Sequence, residues 1–369
     1  MAIRYREVFL EKAKVLADSG TEIIDLDVVD PISELHILMW ATNGATSNKN
    51  NPIARNVSKI EVVDGSEVLF SMDGRLAQAL AYWWTKRYPY KAWQSYGGAT
   101  QEDAFPIYFG RHLWDPQFGV HPPNFRNLQL KVTWDLASVN AVGATGFSTG
   151  TGRMTVIARV MEGLDTPPAQ YFIHKNQYSF TSAASGDERI DLPNDYPWVG
   201  LMVRAWESGV GINSSITNAK LSLDQDKYVP FDMGLAYQEE ILEEVYGLIS
   251  HGIRAYEKDN GTVQVWLAMQ ERANVNVETN RYYAGLKDLV NGQMTVVISD
   301  SGGAAVATDQ MLQIQVQGQL PWNTVWFPFG IKENPETYLQ AQEHTSLRLI
   351  LTQGNAGAEV DVVLSQLKG

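Results

Sequence analysis

The chain has no cysteine, which excludes disulfides, zinc–thiolate centres, iron–sulfur clusters and thiol nucleophiles and leaves packing as the source of stability. It also lacks any apolar run near the ~18 residues that a membrane helix needs, and its opening MAIRYREVFLEKAK has no signal-peptide core. The expectation is a soluble protein made in the cytosol. No run of Lys or Arg exceeds two residues, the formal charge is −13 and the pI is near 4.9. Such a body repels phosphate, so direct nucleic-acid binding is not expected. The six histidines, at 36, 112, 121, 174, 251 and 344, form neither HxH nor HExxH. The glycines of GFSTGTGR (146–153) fit neither a phosphate-binding loop nor a dinucleotide fingerprint, and a loop before a strand is their best reading.

What is present is β-pattern. A chain of 369 residues, 44% hydrophobic and 19% charged, suits two domains each able to bury a core. Alternation predicts strands over 22–30, 33–41, 57–65, 67–73, 105–110, 127–135 and 153–161. A second series covers 169–180, 198–206, 216–224, 227–232, 262–269, 293–299, 311–318, 324–330, 346–353 and 359–367. Between the series, the paired prolines of GLDTPPAQ (163–170) mark a linker. RYREVFLEKAKVLADSG (4–20) reads as a helix with Tyr5, Val8, Phe9, Ala13 and Leu16 to one side, ending at Gly20.

The two series repeat each other. VSKIEVVDGSEVLFSMD (57–73) lies on ITNAKLSLDQDKYVPFD (216–232) without gaps; each runs strand, turn, strand and ends at an aspartate. A helix follows in both, with Leu76, Leu80, Trp83 and Trp84 on the first apolar stripe and Ile241, Leu242, Val245, Leu248 and Ile249 on the second. Asp73 and Asp232 are the expected N-caps. Further on, IYFG (107–110) matches WFPFG (326–330), LQLKVT (128–133) matches LRLILT (347–352), and RMTVIARVM (153–161) matches EVDVVLSQL (359–367). The order is the same throughout, and the longer spacing in the second half places an insert at about 250–322. The repeat unit predicts an all-β fold: two tandem eight-stranded jelly-roll β-sandwiches with short helices and an N-terminal helix.

The paired units NVSKIEVVDGSEVLFSMDGRLAQALAYW (56–83) and SITNAKLSLDQDKYVPFDMGLAYQEEIL (215–242), the paired strands RNLQLKVTWD and TSLRLILTQG, and the basic N-terminal segment resemble one family. It is the double jelly-roll major capsid proteins of tailless, membrane-containing icosahedral viruses, the lineage of tectiviruses, corticoviruses and adenovirus hexons; unit 56–83 looks most like the small phages of this group. The resemblance implies a helix at 1–20, a first jelly roll at 21–163, a linker at 164–170 and a second jelly roll at 171–369. The insert at about 250–322 would then be a tower, with 85–103 its shorter counterpart. It implies a non-enzymatic virion protein, made in the host cytoplasm, whose homotrimers form nearly hexagonal blocks. Its partners would be neighbouring trimers, penton and minor capsid proteins, and an internal lipid membrane. The N-terminal helix, through Arg4, Arg6, Phe9, Lys12 and Lys14, would touch that membrane or a neighbour.

Rival readings are weighed on their residues. Glu239, Glu240, Glu243 and Glu244 form i, i+4 pairs, a pattern more often solvated charge than a glycosidase pair. No cofactor is expected; Asp25, Asp27 and Asp30, or Asp224 and Asp226, leave open a structural calcium ion, although no DxDxDG loop accompanies them. His36, in LHIL, suits a core or interface better than a metal. The NxS/T sites at Asn56, Asn213 and Asn260 carry little meaning without secretion. The aromatics Trp83, Trp84, Tyr88, Tyr90, Trp93 and Tyr96 support the alternative of a carbohydrate-binding or polysaccharide-degrading sandwich. Against it, Trp83 and Trp84 fall on the helix stripe, and Tyr88, Tyr90, Trp93 and Tyr96 serve equally as subunit contacts.

Overall fold

The computed structural model describes residues 3–44, 51–94, 97–138, 146–207, 209–257, 262–266, 268–278, 283–290, 292–299, 302, 304 and 310–369. The first half runs β1 (Arg4–Val15), β2 (Ser19–Asp25), β3 (Ile32–Thr42), α1 (Ile53–Asn56), β4 (Val57–Asp64), β5 (Glu67–Met72), α2 (Gly74–Thr85), β6 (Lys91–Gln94), β7 (Thr100–Tyr108), β8 (Leu128–Asp135) and β9 (Arg153–Glu162). The second runs β10 (Tyr171–Thr181), β11 (Gly186–Asp191), β12 (Trp198–Trp206), α3 (Ile212–Ser215), β13 (Ile216–Leu223), β14 (Tyr228–Gly234) and α4 (Leu235–Tyr246). Six strands are then interposed: β15 (Ile249–Glu257), β16 (Thr262–Trp266), β17 (Met269–Glu278), β18 (Tyr283–Val290), β19 (Gln293–Ser299) and β20 (Gln310–Pro321). The series closes with β21 (Thr324–Pro328), β22 (Leu347–Gln353) and β23 (Glu359–Lys368).

Each half is a sandwich of two four-stranded faces in the same order. In the first, β1-β9-β3-β7 faces β2-β8-β4-β5; in the second, β10-β23-β12-β21 faces β11-β22-β13-β14. The correspondence extends to register. Leu130 pairs with Val62 and Leu349 with Leu221, and a bulge interrupts the ladder between Val57 and Lys59 as it does between Ile216 and Asn218. In the other face the bulge between Ile32 and Glu34 recurs between Trp198 and Gly200. A third bulge, between Phe9 and Glu11, recurs between Asn176 and Tyr178. Bulges set where a strand bends, so three in matching places make the halves copies of one design: the fold is a double jelly roll.

Alternation explains the cores. Leu128, Leu130, Val132 and Trp134 of β8 turn inward, as do Leu347, Leu349 and Leu351 of β22, and all are buried. The aligned Phe-Gly pairs end β7 and β21 at tight corners: a Cβ on Gly110 would lie 2.9 Å from the Phe118 carbonyl oxygen, and Gly330 takes φ +87 with the Thr337 carbonyl oxygen 2.2 Å from where its Cβ would stand.

Three expectations are corrected. Residues 4–15 are not a helix but β1, paired along its length with β9. The helix formers Glu, Lys, Ala and Leu favour a helix by only tenths of a kcal/mol each, and the ladder to β9 outweighs them. Its charges are those of an edge strand. Asp232 does not cap α4, which starts at Gly234 without a side-chain cap; Asp232 instead accepts from Asn218. Asp73 does cap α2, accepting the Leu76 N–H at 2.7 Å. The expected stripe of α4 does not face the core as a whole: Leu242 and Ile249 are buried, whereas Ile241, Val245 and Leu248 are exposed.

Candidate subunit interfaces

The two halves share a seam, and a residue's side of it decides its burial. β5 and β10 pair in parallel, Phe70 with His174 and Ser71 with Lys175, so that one eight-stranded sheet runs from the first sandwich into the second. α2 fills the angle between them. Its Trp83 Nε1 donates to Thr324 Oγ1 on β21 at 2.9 Å, and the Trp84 ring stands 4.9 Å from both Phe172 and His174 on β10. The Tyr82 hydroxyl donates to the Gly247 carbonyl at 2.8 Å. Trp83 and Trp84 are thus buried between barrels, which removes them as a sugar platform.

An ion network crosses the seam. Arg204 of β12, 1% exposed, donates to Asp73 at 2.8 Å, to Glu359 at 3.0 Å and to Asp361 at 2.6 Å. Arg75 bridges Asp73 and Glu359. Burial, the largest influence, would raise the Asp73 carboxyl, yet Arg204 and Arg75 beside it hold it down at about 2. One carboxylate therefore caps α2 with one oxygen and ties the second barrel with the other.

His174 is the seam member that responds to pH just below neutrality. Its Nδ1 lies 2.7 Å from Ser365 Oγ and its Nε2 3.2 Å from the Tyr108 carbonyl, and burial pushes the imidazole down to about 4. The unfolded chain takes up the proton first, near pH 6.5. The contribution is therefore whole above pH 6.5 and drains as the pH falls toward 4, by about 3 kcal/mol. Thermal melts at pH 7 and pH 4.5 are expected to show that loss, reduced in His174→Phe; the part that remains belongs to groups such as His251 and His121, which burial also lowers.

The residues singled out as contact candidates are dispersed. Trp93 is 2% exposed and lies under the Lys91 ammonium, 3.6 Å from its ring centroid; burial pushes that ammonium down to about 8 against the pull of Asp103. Tyr88 donates to Gln78 Oε1 at 2.8 Å, in a cluster closed by Trp322. Tyr90 is exposed. Tyr96 and Asn260 lie outside the described residues. On β1, Arg6 donates to Asp30 at 3.1 Å, Lys14 is tied to Glu22 and Lys12 stands over Phe9, while Arg4 is exposed. Two of the four basic groups are thereby held by the chain's own carboxylates.

The other chemical readings find no assembled site among the described residues. Among the described residues no group of three His, Asp or Glu side chains converges on a metal position. Asp224 accepts from His344, Thr345 and Ser346, and Asp226 from Lys220. Asp25 accepts from Gln129. Glu240, Glu243 and Glu244 are exposed, and Glu239 turns inward with Asn213 Nδ2 3.4 Å away. His36 Nδ1 is 2.9 Å from Glu34 Oε1, and Arg159 donates to the other Glu34 oxygen at 2.8 Å.

Two surfaces are largely uncovered; the sequence pointed to the first through Phe9, though as a helix, and missed the second. One is the edge and outer face of β1, with Tyr5 and Phe9 more than half exposed; the other is the α4 ridge of Tyr237, Ile241 and Val245, at 69%, 45% and 51%. Large apolar groups gathered in this way mark contact surfaces.

No family model matches the sequence, and no curated protein matches it. Solved structures do match along almost the whole chain. The major capsid protein P2 of bacteriophage PM2 gives a TM-score of 0.54 at 12% identity over 99% of this chain and 98% of that one. A chain from the atomic structure of Sulfolobus Turreted Icosahedral Virus gives 0.60 at 10% identity over 98% and 90%. The PBCV-1 virus capsid gives 0.59 at 9% identity over 99% and 94%. The likeness is one of fold: this chain has the double jelly-roll architecture of those capsid structures.

Proposed function

We propose that this chain is a viral major capsid protein, made in the host cytoplasm and residing in the virion, with a structural and not a catalytic role. Three copies place six similar barrels in a nearly hexagonal block, and such blocks tile an icosahedral shell, meeting penton and minor capsid proteins at its special positions. The division between barrels falls at 164–170, and the region at about 250–322 stands as the tower. The observation that carries this reading is the register-for-register repeat of the two sandwiches, bulges included, because only near-identical barrels let a threefold assembly imitate sixfold packing. An internal membrane held through an N-terminal helix is not part of the proposal, since those residues form β1.

The test is the mass of the purified chain by light scattering together with particle averages in the electron microscope. A mass three times that of the chain and threefold blocks with a six-lobed outline are expected. A lone subunit at all concentrations would sink the reading.

A further inference from the structure

We infer that the α4 ridge of one copy seats on the outer face of the β1-β9-β3-β7 sheet of the next, repeating between chains the joint each chain makes between its own halves. The inference rests on the trimer reading above and adds which faces meet.

The chain carries one such joint and the two unmatched halves of another. Within it, the α2 ridge and the outer face of β10-β23-β12-β21 cover each other, and β12 is buried at every position from Trp198 to Trp206. Among the described residues the equivalent surfaces are covered only in part: the Trp114 ring stands 4.9 Å from Tyr5, which stays more than half exposed. At the third, seventh and eleventh positions of the two 12-residue helices, α2 carries Leu76, Leu80 and Trp84, all buried, whereas α4 carries the exposed Tyr237, Ile241 and Val245. On the sheets, Met202, Arg204 and Trp206 pair with Val363, Asp361 and Glu359, as His36, Leu38 and Trp40 pair with Ile157, Thr155 and Arg153. The first three are buried; His36, Leu38 and Trp40 are each only half-buried.

The edges agree. β5 takes β10 alongside it, while their equivalents β14 and β1 each end a sheet. Phe231 pairs with Leu221 as Phe70 pairs with Val62, and Glu7 pairs with Arg159 as His174 pairs with Ser365. Carrying the β5–β10 joint across therefore sets Glu7 and Val8 of one copy beside Phe231 and Asp232 of another. Tyr5 takes the place of Phe172, and Val245 that of Trp84, whose rings meet in the internal seam. The charges also permit it: Arg159 already bridges Glu7 and Glu34, so closing the joint strands no lone charge there. Leu38 and Gly234 stand where Arg204 and Asp73 stand inside the chain, so the subunit joint lacks that ion network. Two different faces meeting head to tail close into a ring when each joint turns the next copy by a third of a circle, and the closed ring leaves neither β1 nor β14 as a bare edge.

The full-length chain is tested by two routes. Tyr5→Glu and Ile241→Glu alter side chains that are exposed in the single chain, so melting and circular dichroism of the subunit should stay unchanged while the light-scattering mass falls threefold. Because the chain has no cysteine, Tyr5→Cys/Val245→Cys provides a clean pair for a short bis-maleimide. Bands at two and three chain masses are expected, whereas either cysteine alone should give the single-chain band. A trimer that survives both glutamate variants, or that gives no linked bands with the cysteine pair, overturns the assignment of faces and leaves the trimer reading standing. A wild-type chain that is monomeric throughout overturns both.

Discussion

Leu349→Asp should abolish folding of the second barrel, and Leu130→Asp that of the first. Both leucines are fully buried and occupy the same place in the repeat, opposite Leu221 and Val62. Loss of a buried leucine costs about 2–5 kcal/mol, and an unpaired carboxylate in its place adds several more unless it is protonated. The sum rivals the whole stability of a domain, about 5–15 kcal/mol. Lys131→Asp, one residue along β8 and partly exposed, should cost no more than about 0.5 kcal/mol. Soluble yield and limited proteolysis check the set. If either leucine variant gave protease-resistant trimer at wild-type yield, two separate cores would be ruled out.

The second large effect is expected at Arg204. Methionine there leaves Asp73 and Asp361 facing each other across the seam without their shared guanidinium, and removing one partner of a buried ion group costs about 3–5 kcal/mol. Lysine should rescue little, because one ammonium cannot reproduce the fork that serves Asp73, Glu359 and Asp361 together. The acid limb of stability should change as well. Asp73 is held at about 2 in the folded chain, below the ~3.9 of an unfolded aspartate. Its contribution is thus complete above about pH 4 and lost as the pH falls through 2. In Arg204→Met that limb should flatten. Denaturant titrations at pH 7 and pH 3 measure both effects, and an unchanged midpoint at pH 7 would show that the network adds nothing to the seam.

The parts of this chain that were legible share one property: their burial is decided by neighbours close in sequence or by a partner strand with the same alternation. β8 and β22 read correctly because every second residue is apolar and the opposite face is polar or half-exposed; β4 and β13 keep that pattern apart from one bulge each in the ladders to β8 and β22 and the buried Val63 of β4. The Asp73 cap was legible because a cap is a local bond. β1 was not. Its apolar residues Val8, Phe9 and Leu10 are consecutive, neither period is clean, and its backbone partners are some 150 residues away on β9. α4 failed differently. The stripe was real, but hydrophobicity alone does not say whether the covering surface belongs to the same chain.

The sequence by itself determined the duplication, the matching strands and their order, the site of the insert and the dependence on packing instead of cross-links. These follow from the pattern of side chains along the backbone, which repeats wherever the same barrel repeats. Only the tertiary structure decided that residues 4–15 complete the first barrel as a strand, that Trp83 and Trp84 lie in a seam and not in one core, and that α2 is covered while α4 is bare. An amphipathic segment states that one face must leave water; which surface receives it depends on what the folded chain, or its next copy, brings alongside.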